Sequence, residues 1–110
     1  MTTIVGISGS LRRASYNTSL LGAAAPLMPN NTQLRIESIR GIPLYDGDLE
    51  AAEGIPQLVT ALKEAVAAAD ALLLATPEYN NSIPGVFKNA IDWLYRGHAG
   101  LKTLATMLKH

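Results

Sequence analysis

The chain has 110 residues, 48% of them hydrophobic, which bounds it to one small soluble domain. Nine basic and nine acidic residues give a formal net charge of zero. The composition therefore gives no indication of binding to nucleic acid or to an anionic membrane surface. The absence of cysteine excludes disulfides, thiolate metal sites and cysteine nucleophiles.

The first predicted elements are a strand, a polar loop and a helix. The apolar run from Ile4 to Ile7 stops at Ser8-Gly9-Ser10, and a helix is predicted to begin near Asn17. Unpaired N–H groups at a helix start favour an anion, and several loop side chains suit phosphate oxygens: Ser10, Arg12 or Arg13, Ser15 and Asn17. The alternative is a surface turn with a helix N-cap. Neither G-x-G-x-x-G nor G-x-x-x-x-G-K-[ST] occurs, which argues against a dinucleotide or a triphosphate ligand. A ligand with a single phosphate, such as a mononucleotide, remains open.

Helices and strands are predicted to alternate after this loop. A helix is predicted over Thr18 to Met28, fraying or kinking near its end because it contains Gly and Pro. A half-exposed strand follows over Gln33 to Ile39, and then an irregular segment over Ile42 to Glu53. Such alternation indicates a parallel α/β sheet with right-handed crossovers.

The clearest helix begins at Gly54-Ile55-Pro56 and carries an apolar stripe, with Lys63 off the stripe. The continuous apolar run from Ala71 to Thr76 suits a central parallel strand covered on both faces. A last helix is predicted over Val86 to Tyr95, with Trp93 to one side of its apolar stripe.

A second stretch that suggests a binding site runs from Thr76 to Gly85 and leaves the C-terminal end of the apolar strand. Ligands of open parallel sheets bind beyond the carboxyl ends of strands, so this loop and the first loop would open into one crevice. Tyr79 could present a flat face and Asn80 a donor and an acceptor to a planar heterocycle. The alternative is a simple turn in which Ser82 caps the helix that Pro84 begins.

Three motifs together resemble the NADPH-dependent FMN reductase family, which includes quinone and chromate reductases. They are Gly9-Ser10-Leu11-Arg12 with Ser15 and Asn17, Pro77-Glu78-Tyr79-Asn80, and the run from Ser82 to Trp93. The resemblance extends from Thr3 to about Arg96 and implies a flavodoxin-like, doubly wound parallel sheet. It implies that FMN is bound at its phosphate by Ser10, Arg12, Ser15 and Asn17, and along its flavin by Pro77, Glu78, Tyr79, Asn80 and Ser82.

The resemblance also implies an activity. Hydride would pass from NADPH or NADH to bound FMN, and then to a quinone, a free flavin or another small-molecule electron acceptor. No general acid or base and no metal site is predicted, and a cytoplasmic homodimer or homotetramer without nucleic-acid or membrane partners is expected. Trp93 and Tyr95 are the predicted interface anchors. The alternatives are a flavin-binding or electron-carrier domain without turnover, and an inactive fragment.

Residues 97–110 do not resemble the family's second half, which supplies a fourth strand, a Gly-rich loop over the flavin and a fifth strand. We therefore predict a partial FMN-binding domain over residues 1–96, with three strands in the order 2-1-3. The segment 97–110 is predicted to be a divergent tail with an amphipathic helix from Leu101 to Leu108. The strand Ala71 to Thr76 would then be an exposed edge, and weaker FMN binding than in a full-length relative is expected.

Overall fold

A computed structural model describes residues 1–96. The helix predicted over residues 101–108 lies outside the described residues. The elements, in chain order, are β1 (Thr2–Ser8), α1 (Tyr16–Ala24), a 3-10 turn (Ala25–Leu27), β2 (Thr32–Glu37), α2 (Gly47–Glu53), α3 (Gln57–Ala68), β3 (Ala71–Ala75) and α4 (Gly85–Leu94).

The three strands form one parallel sheet in the order β2-β1-β3, which confirms the predicted order. Ile7 of β1 lies beside Glu37 of β2, and Ser8 lies beside Ala75 of β3. All three strands therefore end at the same edge of the sheet, and the loops that follow them leave from that edge.

The helices cover opposite faces of this sheet. Val5 and Ile7 are buried in one core with residues of α3 and α4. Gly6 faces the other side, because successive residues of a strand alternate between faces. A Cβ atom at Gly6 would lie 3.2 Å from Leu21 of α1 and 3.1 Å from Leu34 of β2, so α1 packs on this second face.

The end of the first helix matches its sequence. The α-helix ends at Ala24, and the chain continues as a 3-10 turn that contains Pro26. The predicted fraying near the proline is thus a change of helix type, because proline lacks the N–H that an α-helix requires.

The segment predicted to be irregular, Ile42 to Glu53, contains the helix α2, so that prediction is wrong. Asp46 caps this helix by accepting a hydrogen bond from the Asp48 N–H at 2.9 Å. Asp48 and Glu50 lie in the first turn, where carboxylates complement the helix dipole. The helix has only 7 residues, so the apolar periodicity that would predict it from the sequence is weak.

Lys63, predicted off the apolar stripe of α3, is buried, so that prediction is wrong. Its Nζ donates a hydrogen bond to the main-chain carbonyl of Arg96, beyond the end of α4. Burial lowers the pKa of Lys63 and the nearby Arg96 lowers it further, whereas Glu50 raises it.

Trp93 is also buried, with 0% of its surface exposed. Its Nε1 donates to the Pro43 carbonyl at 2.7 Å, and its ring meets Tyr45 edge-on at a centroid distance of 4.9 Å. The prediction that Trp93 anchors an interface is therefore wrong, because its side chain is occupied inside the fold. Tyr95, by contrast, is 62% exposed.

The apolar strand β3 pairs with β1 alone among residues 1–96, as predicted for an edge strand. Its central residue Leu73 is 39% exposed, so the expectation of cover on both faces is wrong in the described part of the chain. No helix in these residues is long and apolar enough to cross a membrane.

We expect the pH dependence of stability to weaken when Glu50 is replaced by glutamine. Arg96 donates to both Glu50 carboxylate oxygens, at 2.8 and 3.1 Å, and these hydrogen bonds hold the pKa of Glu50 below its ordinary value of 4.5. The pair therefore stabilises the fold above the unfolded pKa, and this contribution is lost as the pH falls through the folded pKa.

Urea midpoints measured between about pH 7 and about pH 3 test this. The Glu50→Gln variant should lose less stability than the wild type below about pH 4.5. Glu64→Gln is the control, because Glu64 is exposed and joins no ion pair in residues 1–96. Identical pH profiles for Glu50→Gln and the wild type would contradict the linkage.

Candidate functional site

The candidate site is the crevice beyond the ends of β1 and β3. The connection after β1 leads to α1 on one face, and the connection after β3 leads to α4 on the other. This divergence between neighbouring strands is the switch point at which open parallel sheets bind ligands.

The two loops meet at Gly9. Its N–H donates to the Ala75 carbonyl at 2.8 Å. A Cβ atom at Gly9 would lie 2.5 Å from Thr76 Oγ1 and 2.6 Å from Phe87 Cδ2, so only glycine allows this approach. Sequence reasoning placed Gly9 in a motif but did not predict this contact, and the only signal was a glycine directly after a strand.

The first loop is organised by its own serines. Ser8 Oγ accepts a hydrogen bond from the Ser10 N–H at 3.3 Å, and Ser10 Oγ accepts one from the Arg12 N–H at 3.2 Å. The Ser15 N–H then donates to the Arg12 carbonyl at 3.1 Å. These short-range bonds give the loop a defined path between β1 and α1.

Ser15 is the N-cap of α1. It is 3% exposed, and its Oγ accepts from the Thr18 N–H at 3.3 Å. The capping alternative is thus confirmed for this residue. Its hydroxyl still has a proton to donate, so capping and phosphate binding are chemically compatible.

Several donors of this loop have no hydrogen-bond acceptor within residues 1–96. They are the N–H groups of Leu11, Arg13 and Ala14, and those of Tyr16 and Asn17 in the first turn of α1. Arg12 and Arg13 are exposed, and neither joins an ion pair in the same residues. Unpaired N–H groups at a helix start together with free guanidiniums fit the phosphate of FMN.

The second loop contains a tight hairpin. The Tyr79 N–H donates to the Ser82 carbonyl at 2.8 Å, and the Ser82 N–H donates to the Tyr79 carbonyl at 3.1 Å. Asn80 and Asn81 between them have φ angles of 53° and 64°, as a type I′ turn requires. The turn alternative is therefore confirmed, but Pro84 and not Ser82 occupies the N-cap position of α4, where no side chain makes a capping hydrogen bond.

The hairpin leaves its side chains accessible. Tyr79 is 55% exposed, and Glu78, Asn80 and Ser82 are also exposed, while Pro77 is half-buried. A rigid turn that presents one aromatic ring and several hydrogen-bonding groups fits a planar heterocycle such as a flavin.

Eight of the nine predicted site residues fall on these two loops, and Asn17 lies in the first turn of α1. Four follow β1 and five follow β3: Ser10, Arg12, Ser15, Asn17, Pro77, Glu78, Tyr79, Asn80 and Ser82. The Gly9 contact brings the loops together, which sequence spacing alone could not establish. No group of three His, Asp or Glu residues suited to a metal occurs in the described part.

A third loop, residues 38–46 after β2, borders the same edge and was missed. Arg40 Nη2 donates to the Leu11 carbonyl. Asn89 of α4 accepts from the Tyr45 N–H at 2.8 Å and donates to the Pro43 carbonyl at 2.9 Å. These hydrogen bonds join elements that are far apart in the chain, and no local sequence pattern predicts them.

Comparison with known proteins identifies close sequence relatives. The chain is 52% identical over 93 residues to an NAD(P)H-dependent FMN reductase of Pseudomonas aeruginosa, an alignment covering 84% of this chain and 50% of that protein. It is 44% identical over 94 residues to a quinone reductase of Escherichia coli K12, with the same two coverages, 84% and 50%.

A solved structure agrees with the fold. FerB, a flavoenzyme NAD(P)H:(acceptor) oxidoreductase from Paracoccus denitrificans, matches with a TM-score of 0.78 and 37% identity, over 91% of this chain and 54% of that chain. The chain thus spans about half the length of the curated relatives it matches. A family model described as NADPH-dependent FMN reductase matches residues 2–108. By this match, and by its flavodoxin-like order of parallel strands, the chain belongs to the NADPH-dependent FMN reductase family.

Proposed function

We propose that the crevice between β1 and β3 binds FMN, and that the protein uses NADPH or NADH to reduce a small-molecule acceptor of the quinone class. The observation that carries this proposal is the contact of Gly9 with Thr76 and Phe87, which joins the phosphate-type loop to the hairpin after β3. Relatives named as FMN and quinone reductases support the choice of cofactor and acceptor.

Bound FMN would supply the chemistry, by accepting hydride from a nicotinamide and passing electrons to the acceptor. The chain's own residues would bind this cofactor and orient it. The N–H groups of residues 13, 14, 16 and 17, which have no acceptor within residues 1–96, would stabilise the phosphate dianion together with Ser10 and Arg12. Tyr79 and Asn80, on the rigid hairpin, position the ring system. No residue is assigned to proton transfer.

Flavin binding without turnover is the second candidate. It is favoured by the position of β3, which pairs only with β1 in residues 1–96 and carries the hairpin at its end. A hairpin on an edge strand has a less rigid support, and loosening of about 1 Å costs much of a site's preorganisation. Measuring nicotinamide oxidation by flavin-loaded protein separates the two candidates.

We further propose a cytoplasmic homodimer or homotetramer. Tyr95, which is 62% exposed at the end of α4, is the remaining candidate for an interface anchor. A monomeric elution profile unaffected by Tyr95→Ala would count against this assignment.

The phosphate site is tested by titrating protein with FMN and with riboflavin, which lacks the phosphate. We expect Arg12→Gln to weaken FMN binding by about 1.5 to 3 kcal/mol, the typical contribution of a hydrogen bond to a charged group. Riboflavin affinity should stay near that of the wild type. Quenching of flavin fluorescence measures both affinities.

Arg35→Gln is the matched control, because Arg35 lies on β2 and pairs with Glu37 at 3.5 Å. This substitution also removes one positive charge, but at a position outside the loop. Equal weakening of FMN and riboflavin by Arg12→Gln would show that Arg12 does not bind the phosphate.

A further inference from the structure

The phosphate-type loop, residues 10–15, has one side-chain bond to a distant part of the described chain. Arg40, 29 residues further along, donates from Nη2 to the Leu11 carbonyl. The other hydrogen bonds of this loop within residues 1–96 join it to itself, to Ser8 or to the first turn of α1. Arg40 therefore links the loop after β2 to the loop after β1.

Arg40 also adds charge at this point. With Arg12 and Arg13 it brings three guanidiniums to one loop, in a chain whose formal net charge is zero. None of the three joins an ion pair in the described part. A guanidinium has five N–H donors, so bonding to the Leu11 carbonyl leaves most of them free. Three positive charges on one short loop and its contact residue raise the positive potential there, which favours an anion.

We propose that Arg40 is a positioning residue of the phosphate site, which holds the Leu11 carbonyl, keeps the loop in its anion-binding conformation and adds positive potential. This inference rests on the proposed function and extends it. It assigns to Arg40 a preference for flavins that carry a phosphate monoester over flavins that lack one. Arg40 acts on the ligand through the loop and through its field.

A purely structural role would leave a different signature. Arg40 is exposed, so removing it should change global stability little, while local opening of the loop should change clearly. A structural residue would also affect phosphorylated and unphosphorylated flavins alike, whereas added positive potential acts on the phosphate alone. Salt should reduce this selectivity, because the charges are exposed to solvent.

The first experiment needs no flavin. Native protein is treated with trypsin, and cleavage after Arg12 and Arg13 is followed by mass spectrometry. Arg40→Ala should speed this cleavage about fivefold, the factor that corresponds to one ordinary hydrogen bond. Arg35→Ala, which removes an arginine from β2, should cleave at the wild-type rate. Unchanged cleavage in Arg40→Ala would overturn the positioning role.

The second experiment compares FMN and riboflavin affinities at low and high salt. Arg40→Ala should weaken FMN about fivefold or more at low salt and leave riboflavin unchanged, and Arg40→Lys should restore part of the loss. Equal effects on both flavins would overturn the assigned preference. Failure of the wild type to bind either flavin would count against the proposed function, while the cleavage result decides on the role of Arg40 in either case.

Discussion

Replacement of Gly9 by alanine is expected to destabilise the fold by about 1 to 3 kcal/mol, the usual cost of forcing a methyl group into a packed site. It should also abolish measurable FMN binding. The added Cβ would lie 2.5 Å from Thr76 Oγ1 and 2.6 Å from Phe87 Cδ2, so the loops must separate. Separation would break the Gly9 to Ala75 hydrogen bond of 2.8 Å. Urea midpoints and flavin fluorescence measure the two effects.

Gly22→Ala is the matched control for this substitution. Gly22 lies within α1, and a Cβ atom there would meet nothing within 4 Å. Alanine at an unhindered helical position should stabilise the protein by about 0.5 to 1 kcal/mol. If both alanine variants shifted stability in the same direction, the close contact at Gly9 would not explain the first result.

The second large effect is expected from Trp93→Ala. Truncating a fully buried tryptophan costs about 3 to 5 kcal/mol, which is a large share of the stability of a small domain. The change removes the ring that meets Tyr45 edge-on and the hydrogen bond to Pro43 at 2.7 Å. We therefore expect the variant to be largely unfolded, as measured by circular dichroism and urea titration.

Two further variants separate the contributions of Trp93. Trp93→Phe retains an aromatic ring but cannot donate to the Pro43 carbonyl, and should retain more stability than Trp93→Ala. Tyr95→Ala, at a 62% exposed position, should change stability by no more than about 0.5 kcal/mol. A Trp93→Ala variant as stable as Tyr95→Ala would show that the indole is not part of the core.

These effects converge on α4, which connects the three loops at the edge of the sheet. Phe87 contacts Gly9 of the first loop, and Asn89 bonds to Tyr45 of the loop after β2. The hairpin after β3 leads directly into the same helix. A helix that contacts all three loops sets their relative positions, and preorganised positions are what a flavin site requires.

The sequence by itself determined the elements with strong patterns. The apolar runs of β1 and β3 predicted strands, and the stripe of α3 predicted an amphipathic helix. The alternation of strands and helices indicated a parallel sheet with right-handed crossovers, and the family resemblance implied the order β2-β1-β3 that the structure has. The motifs after β1 and β3 located the candidate site and its family, because their residue types depend on local backbone geometry.

Only the tertiary structure decided which side chains are buried and which loops meet. Periodicity placed Trp93 and Lys63 off their apolar stripes, yet both are buried. Trp93 donates to the Pro43 carbonyl and Lys63 to the Arg96 carbonyl. The contacts of Gly9 and Arg40 likewise join segments 29 or more residues apart. Local periodicity describes one helix or strand at a time. The burial of a side chain depends on which other elements pack against it. The tertiary structure was therefore needed to assign the buried side chains and the contacts between loops.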